Sequence, residues 1–138
     1  MTMEKIKYRS GYKYQLAEDY TTKIAILPGQ DVQTEFIDLN LHGVLTIKKG
    51  YAWDGPSGPT IDTKSFMRGS LIHDALYQLI RQERISMTLR KIADDELKKA
   101  CLDDGMWSWR AWYAYKAVRS MAFYAANPEN QKEVYEAP

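Results

Sequence analysis

The stretch Lys64–Arg81, KSFMRGSLIHDALYQLIR, decides how the rest of the chain is read. Ile72, Leu76 and Leu79 recur at i, i+4 and i+7, and His73, Tyr77 and Ile80 repeat that spacing one position on. Such a pattern is that of a helix with two adjacent apolar stripes. A helix apolar over so wide a face is mostly buried, so His73 is expected inside as well. Asp74 projects about 100° further round the same helix.

Downstream, the pattern stays helical. A second helix is expected over 88–104, with Leu89, Ile92, Ala93, Leu97, Ala100 and Cys101 on one stripe and Gly105 as its stop. Asp94 lies at the edge of that stripe. Asp103 and Asp104 sit against the negative end of the helix dipole, a small cost without an evident return in the sequence. A third helix is expected over 109–126, with Ala111, Ala114, Tyr115, Val118, Met121, Ala122 and Ala125 inward. Upstream, the period changes to two. Residues 12–16, 21–26, 34–39 and 44–48 alternate or are β-branched, and Pro28-Gly29 and Lys49-Gly50 punctuate them. Between the two regimes lies Tyr51-Ala52-Trp53-Asp54-Gly55-Pro56-Ser57-Gly58-Pro59, whose glycines and prolines favour a shaped loop. Strands followed by helices imply an α+β fold: a small N-terminal antiparallel sheet, then a three-helix segment. The expected layout is one domain over 1–126 (strands 1–50, glycine/proline loop 51–63, helices 64–126) and a loose tail over 127–138.

Composition narrows the function. The chain has 138 residues, 45% of them apolar, which suits one domain with a real core. A net charge of +1 gives no reason to expect nucleic-acid binding, which needs clustered positive charge. One cysteine and two histidines cannot build an ordinary structural zinc site, and a single thiol makes no internal disulfide. The first ten residues lack an apolar run, so no secretory signal is expected, and no stretch is long and apolar enough for a membrane span. Peripheral membrane contact stays open.

The residues with chemical potential converge on the first two helices. Imidazole titrates near neutrality and acts as a general base when a carboxylate holds its other nitrogen. Asp94, projecting from the neighbouring helix, is suited to hold His73. Asp74 points elsewhere and, beside a loop rich in backbone carbonyls, suits calcium, which takes oxygen ligands. Asp54-Gly55 is either a metal ligand or a turn, and the turn is the commoner case. The bland alternative is a His–Asp pair that merely ties helices together. His42 reads as a hairpin-turn residue and Cys101 as a small core residue. Trp107, Trp109 and Trp112 are expected in the core, with a lipid interface as the less common fate. Lys116, Arg119 and Arg110 suit either phosphate contact or a solvated face, and the solvated face is the commoner case.

Two resemblances rest on these motifs. Gly50-Tyr51-Ala52-Trp53-Asp54-Gly55-Pro56-Ser57, His73-Asp74-Ala75-Leu76-Tyr77, Arg90-Lys91-Ile92-Ala93-Asp94, Arg110-Ala111-Trp112 and Ala117-Val118-Arg119 together resemble a family of small phage and prophage proteins of unknown function. The same core is similar to the phospholipase A₂ pattern, above all its parvovirus capsid version: a calcium loop, then a helix with His-Asp-x-x-Tyr, then a helix with Ala-Asp. By that likeness His73 is the general base, Asp94 orients it, and Tyr77 joins their hydrogen-bond network. Asp74 binds calcium with loop carbonyls of Trp53, Gly55 and Ser57. The loop departs from the pattern in holding two prolines and Asp54.

Three functions are compatible with these readings. The first is a calcium-dependent phospholipid ester hydrolase, with Tyr51 and Trp53 touching lipid. The second is a non-catalytic virion, tail or assembly protein. The third is a phage protein that binds a host partner through its aromatic face. The expected setting is the virion or the host cytoplasm.

Overall fold

A computed structural model describes residues 6, 8–9, 14–53 and 64–126, with only the backbone path described for 8–9 and 121–126. Strands come first. β1 (Tyr8–Arg9), β2 (Tyr14–Leu16) and β7 (Ala52–Trp53) form one antiparallel sheet in the order β1-β2-β7. β3 (Tyr20–Lys23), β4 (Val32–Gln33), β5 (Ile37–Leu39) and β6 (Val44–Ile47) form a second, in the order β3-β6-β5-β4. The two are stitched together where Leu16 N–H donates to Tyr51 O at 2.8 Å and Gly50 N–H donates to Leu16 O at 2.8 Å.

Alternation does the folding work in these strands, since successive side chains face opposite ways. In β3, Tyr20 and Thr22 are buried while Thr21 and Lys23 are exposed. Ile37 and Leu39 of β5 and Leu45 and Ile47 of β6 bury on the same side. On the outer face Thr21 and Thr46 lie opposite each other, their hydroxyls 3.1 Å apart. The β5–β6 turn is fixed by Asn40, whose Oδ1 accepts from His42 N at 2.9 Å and Val44 N at 3.0 Å. Gly43 takes φ +83 there, and a Cβ would come 2.7 Å from Ile24 O, so only glycine fits. His42 is an exposed turn residue, as the sequence suggests.

Helices follow: α1 (Lys64–Arg81), α2 (Arg90–Asp103) and α3 (Ser108–Ala126). α1 is the centre of the molecule. Leu71, Ile72, Ala75, Leu76, Leu79 and Ile80 join the sheet residues in the main core. Its other side, with Phe66, meets Leu97 and Cys101 of α2, Ala111 and Ala114 of α3, and Met106 between the two helices in a smaller core. The helices approach closely at Gly69, where a Cβ would stand 2.9 Å from Cys101 Sγ and 3.1 Å from the carbonyl oxygen of Leu97.

α1 ends at Arg81 without a glycine: Glu83 adopts φ 57 and Arg84 N–H donates to Leu79 O at 2.8 Å. The second helix starts two residues later than the apolar stripe suggests. Its lead-in, Met87–Leu89, is a 3-10 turn opened by Ser86, whose Oγ accepts from Thr88 N at 3.1 Å. Gly105, at φ +95, stops it as expected.

The acidic end of α2 also finds its reason. Arg68, buried on α1, donates from Nε to both carboxylate oxygens of Asp104, at 3.2 and 3.0 Å, and from Nη1 to Tyr20 OH at 3.0 Å. One guanidinium thus joins α1, α2 and β3, and the local ion pair outweighs the dipole cost. At the other side of α2, buried Glu96 accepts from Ala25 N at 2.8 Å and anchors the helix to the segment that follows β3.

The α+β class and its order are those the sequence implies. Two corrections concern the strands and the loop. The N-terminal half forms two small sheets rather than one, and β7 lies inside the segment 51–63 read as loop. Ala52 and Trp53 pair with Gln15 and Tyr14 because the Tyr51-Ala52-Trp53 run precedes the first proline and keeps strand alternation. The rest of that segment and the expected tail lie outside the described residues.

Candidate functional site

Three helices meet around one carboxylate. Asp94, on the second turn of α2, is fully buried. Its Oδ1 accepts from His73 Nε2 at 2.7 Å and from Tyr77 OH at 2.5 Å, both on α1. Its Oδ2 accepts from Arg119 Nη1 of α3 at 2.8 Å, with Arg90 Nη1 3.8 Å away. The helical repeat places these groups. His73 and Tyr77 are separated by i, i+4 on α1, so both reach the same oxygen, and their rings lie 4.1 Å apart. Arg90 and Asp94 have the same spacing on α2.

Electrostatics follow from that arrangement. Burial disfavours the Asp94 carboxylate, but the hydrogen bonds from His73, Tyr77 and Arg119 outweigh it and hold the group below its ordinary range. Asp94 is therefore ionised. Burial also disfavours the His73 imidazolium, yet Asp74 and Asp94 more than offset this and raise its pKa. For Tyr77, burial and then the Asp94 carboxylate both act against ionisation, so its hydroxyl stays protonated and donates.

An ionised acceptor on Nε2 puts the imidazole proton there, which leaves the lone pair of neutral His73 on Nδ1. Asp74 Oδ1 lies 3.9 Å from Nδ1, beyond hydrogen-bond reach but close enough to stabilise a charge. Asp74 and Gln78 are the α1 residues between Phe66 and Ile80 that are partly exposed. Nδ1 thus lies on the side of partly exposed Asp74, while His73 itself is only 7% exposed.

The sequence-derived site divides accordingly. His73, Asp94 and Tyr77 come together, and Asp74 stands at their margin. Trp53 does not belong to an open loop. Its side chain is buried, its Nε1 donates to Ser70 Oγ at 3.0 Å, and its ring stacks on Tyr51. Tyr51 and Trp53 are core residues, which overturns the expectation that they touch lipid. Asp54, Gly55 and Ser57 lie outside the described residues. Among the described residues no group of three or more His, Cys, Asp or Glu is placed to hold a metal. At this site Asp74 supplies one partly exposed carboxylate, short of the six to eight oxygens that calcium takes.

Arg119 is the member that sequence reasoning missed. It was legible only as one cation on a face with Lys116, and its spacing from Asp94 spans two helices and a turn. Arg90, four residues before Asp94, carried a visible signal. The tryptophans are a further correction. Trp107, Trp109 and Trp112 are exposed rather than packed in the core, because the inward face of α3 is taken by the small residues Ala111 and Ala114.

Comparison with known families, curated proteins and solved structures gives no match.

Proposed function

We propose that this protein is a phage-encoded hydrolase of the phospholipase A₂ kind, with Nδ1 of His73 as its general base. The observation that carries this reading is the bond from His73 Nε2 to Asp94 Oδ1 at 2.7 Å, made to a carboxylate that Tyr77 and Arg119 also hold. A fixed Nε2–H leaves Nδ1 to accept a proton from water. The hydroxide equivalent adds to an ester carbonyl, the carbon–oxygen bond of the ester breaks, and the imidazolium returns the proton to the leaving alkoxide. Asp94 stays ionised throughout and stabilises the imidazolium without taking its proton. The phage setting rests on the ordered motifs from Gly50 to Arg119, and the phospholipid substrate on the His-Asp-x-x-Tyr and Ala-Asp likeness. Calcium is part of that likeness. With one carboxylate at the margin of the site, it enters as a condition of the assay and not as a step.

The test is fatty-acid release from phospholipid vesicles, with Ca²⁺ and with a chelator, by the wild type and by His73→Gln. Release by the wild type that the variant loses, with circular dichroism unchanged, is the expected result. Equal background for both proteins in both conditions refutes the reading.

A second reading has its own support. The low exposure of His73 and the use of both Asp94 oxygens suit a polar network that locks α1, α2 and α3 in a virion or assembly protein without catalysis. Stoichiometric copies in purified particles, together with the negative release assay, favour it.

A further inference from the structure

α3 is amphipathic in an unusual sense. Its inward stripe, Ala111, Ala114 and Val118, packs on the cores. Its outward stripe, Trp109, Trp112, Tyr113 and Lys116, has i, i+3, i+4, i+7 spacing and is exposed. Trp109 is 66%, Trp112 53% and Tyr113 58% exposed, and Trp107 at the preceding corner is 72% exposed, its ring 6.3 Å from that of Trp109. Four large aromatic rings standing in water at one corner are far from the scattered single apolar residues of an ordinary surface.

Cations accompany them. Lys116 Nζ lies 5.8 Å from the Trp112 ring centre, and Lys98 Nζ, on α2, lies 5.5 Å from that of Tyr115. At the α2–α3 end beside it, Asp104 is engaged by Arg68, and Asp103 is the partly exposed carboxylate. We infer that this corner is a docking surface for a bilayer that carries anionic phospholipid.

The composition separates this occupant from others. Protein interfaces enrich Trp, Tyr and Arg but deplete Lys, whereas here lysines flank the rings. Indoles settle at the headgroup level, apolar body inward and N–H toward water. Lysine stems reach outward to the anionic surface, where each charge adds to binding. Arg119, at the Asp94 site, follows Trp112 on α3 by about 10 Å of helical rise. The docking itself does not depend on the chemistry of His73.

Trp fluorescence and co-sedimentation with vesicles of phosphatidylcholine alone or mixed with phosphatidylglycerol test it. Of the four tryptophans, Trp53 is buried and supplies a constant background, so a blue shift reports the α3 corner. The expected result is a blue shift and sedimentation on the mixed vesicles. Partition falls about tenfold for each of Trp109→Ala and Trp112→Ala, as half of a full side-chain burial would give. It falls roughly fivefold for Lys116→Gln. His73→Gln binds like the wild type, which keeps this result separate from the hydrolase assay. No blue shift, equal partition onto pure phosphatidylcholine, or a dimer in sedimentation analysis that Trp109→Ala abolishes would each overturn the proposal.

Discussion

Replacing Asp94 by alanine removes the group on which α1, α2 and α3 converge, and the cost can be worked from its partners. Three donors lose their acceptor: His73 Nε2, Tyr77 OH and Arg119 Nη1. His73 and Tyr77 are buried and find no water, and each orphaned buried donor costs about 1–3 kcal/mol. The Arg119 side chain is 29% exposed and turns outward to solvent, so its term is small. The sum for Asp94→Ala is about 4 kcal/mol, within the range for breaking a buried pair from one side. Asp94→Asn keeps an oxygen for His73 and Tyr77 but loses the charge and the acceptor of Arg119, which turns out to solvent, so it costs about 1–2 kcal/mol. Urea unfolding followed by circular dichroism measures both. A loss below about 1 kcal/mol for the alanine variant, or equal losses for the two, refutes the claim that these hydrogen bonds hold the helices.

Two further outcomes follow from the same geometry. Gly69→Ala forces a Cβ to within 3.1 Å of the Leu97 backbone carbonyl, which cannot step aside as a side chain does, and destabilises by about 1–3 kcal/mol in the same assay. Stability also depends on pH in a defined sense. His73 titrates above its ordinary value, so its contribution is complete below the unfolded pKa of about 6.5 and fades as pH rises through the folded value. Asp94 titrates below its ordinary value, so its contribution is complete above about pH 4 and fades as pH falls through the folded value. Both shifts report one contact. The urea midpoint should therefore peak between about pH 4 and 6.5, and His73→Gln should flatten its decline on the alkaline side.

The helical half of the fold was legible because its signals are strong and local. The double stripe of α1 signalled a buried helix, and Gly105 marked the end of α2. Strand pairing was less legible. β4 and β7 are two residues each, too short for a period-two pattern, and the partner of β7, β2, lies in distant sequence. In the site, the His73–Asp94 contact followed from two helical stripes facing each other. Arg119 did not, since an exposed-looking cation on α3 becomes a partner of Asp94 only when the α2–α3 turn sets the register. The tryptophans misled for a related reason. Size and apolarity suggested the core, but Ala111 and Ala114 let α3 approach closely with its small face and turned the large one outward.

Nitrogen-15 NMR of the two imidazoles, followed through a pH titration, tests the central claim most directly. On the alkaline side, His73 should show a protonated Nε2 and a bare Nδ1, with a titration midpoint above that of free histidine. A proton on Nδ1, or a midpoint at or below the free value, would mean that Asp94 does not grip the ring as described and that Nδ1 is no base.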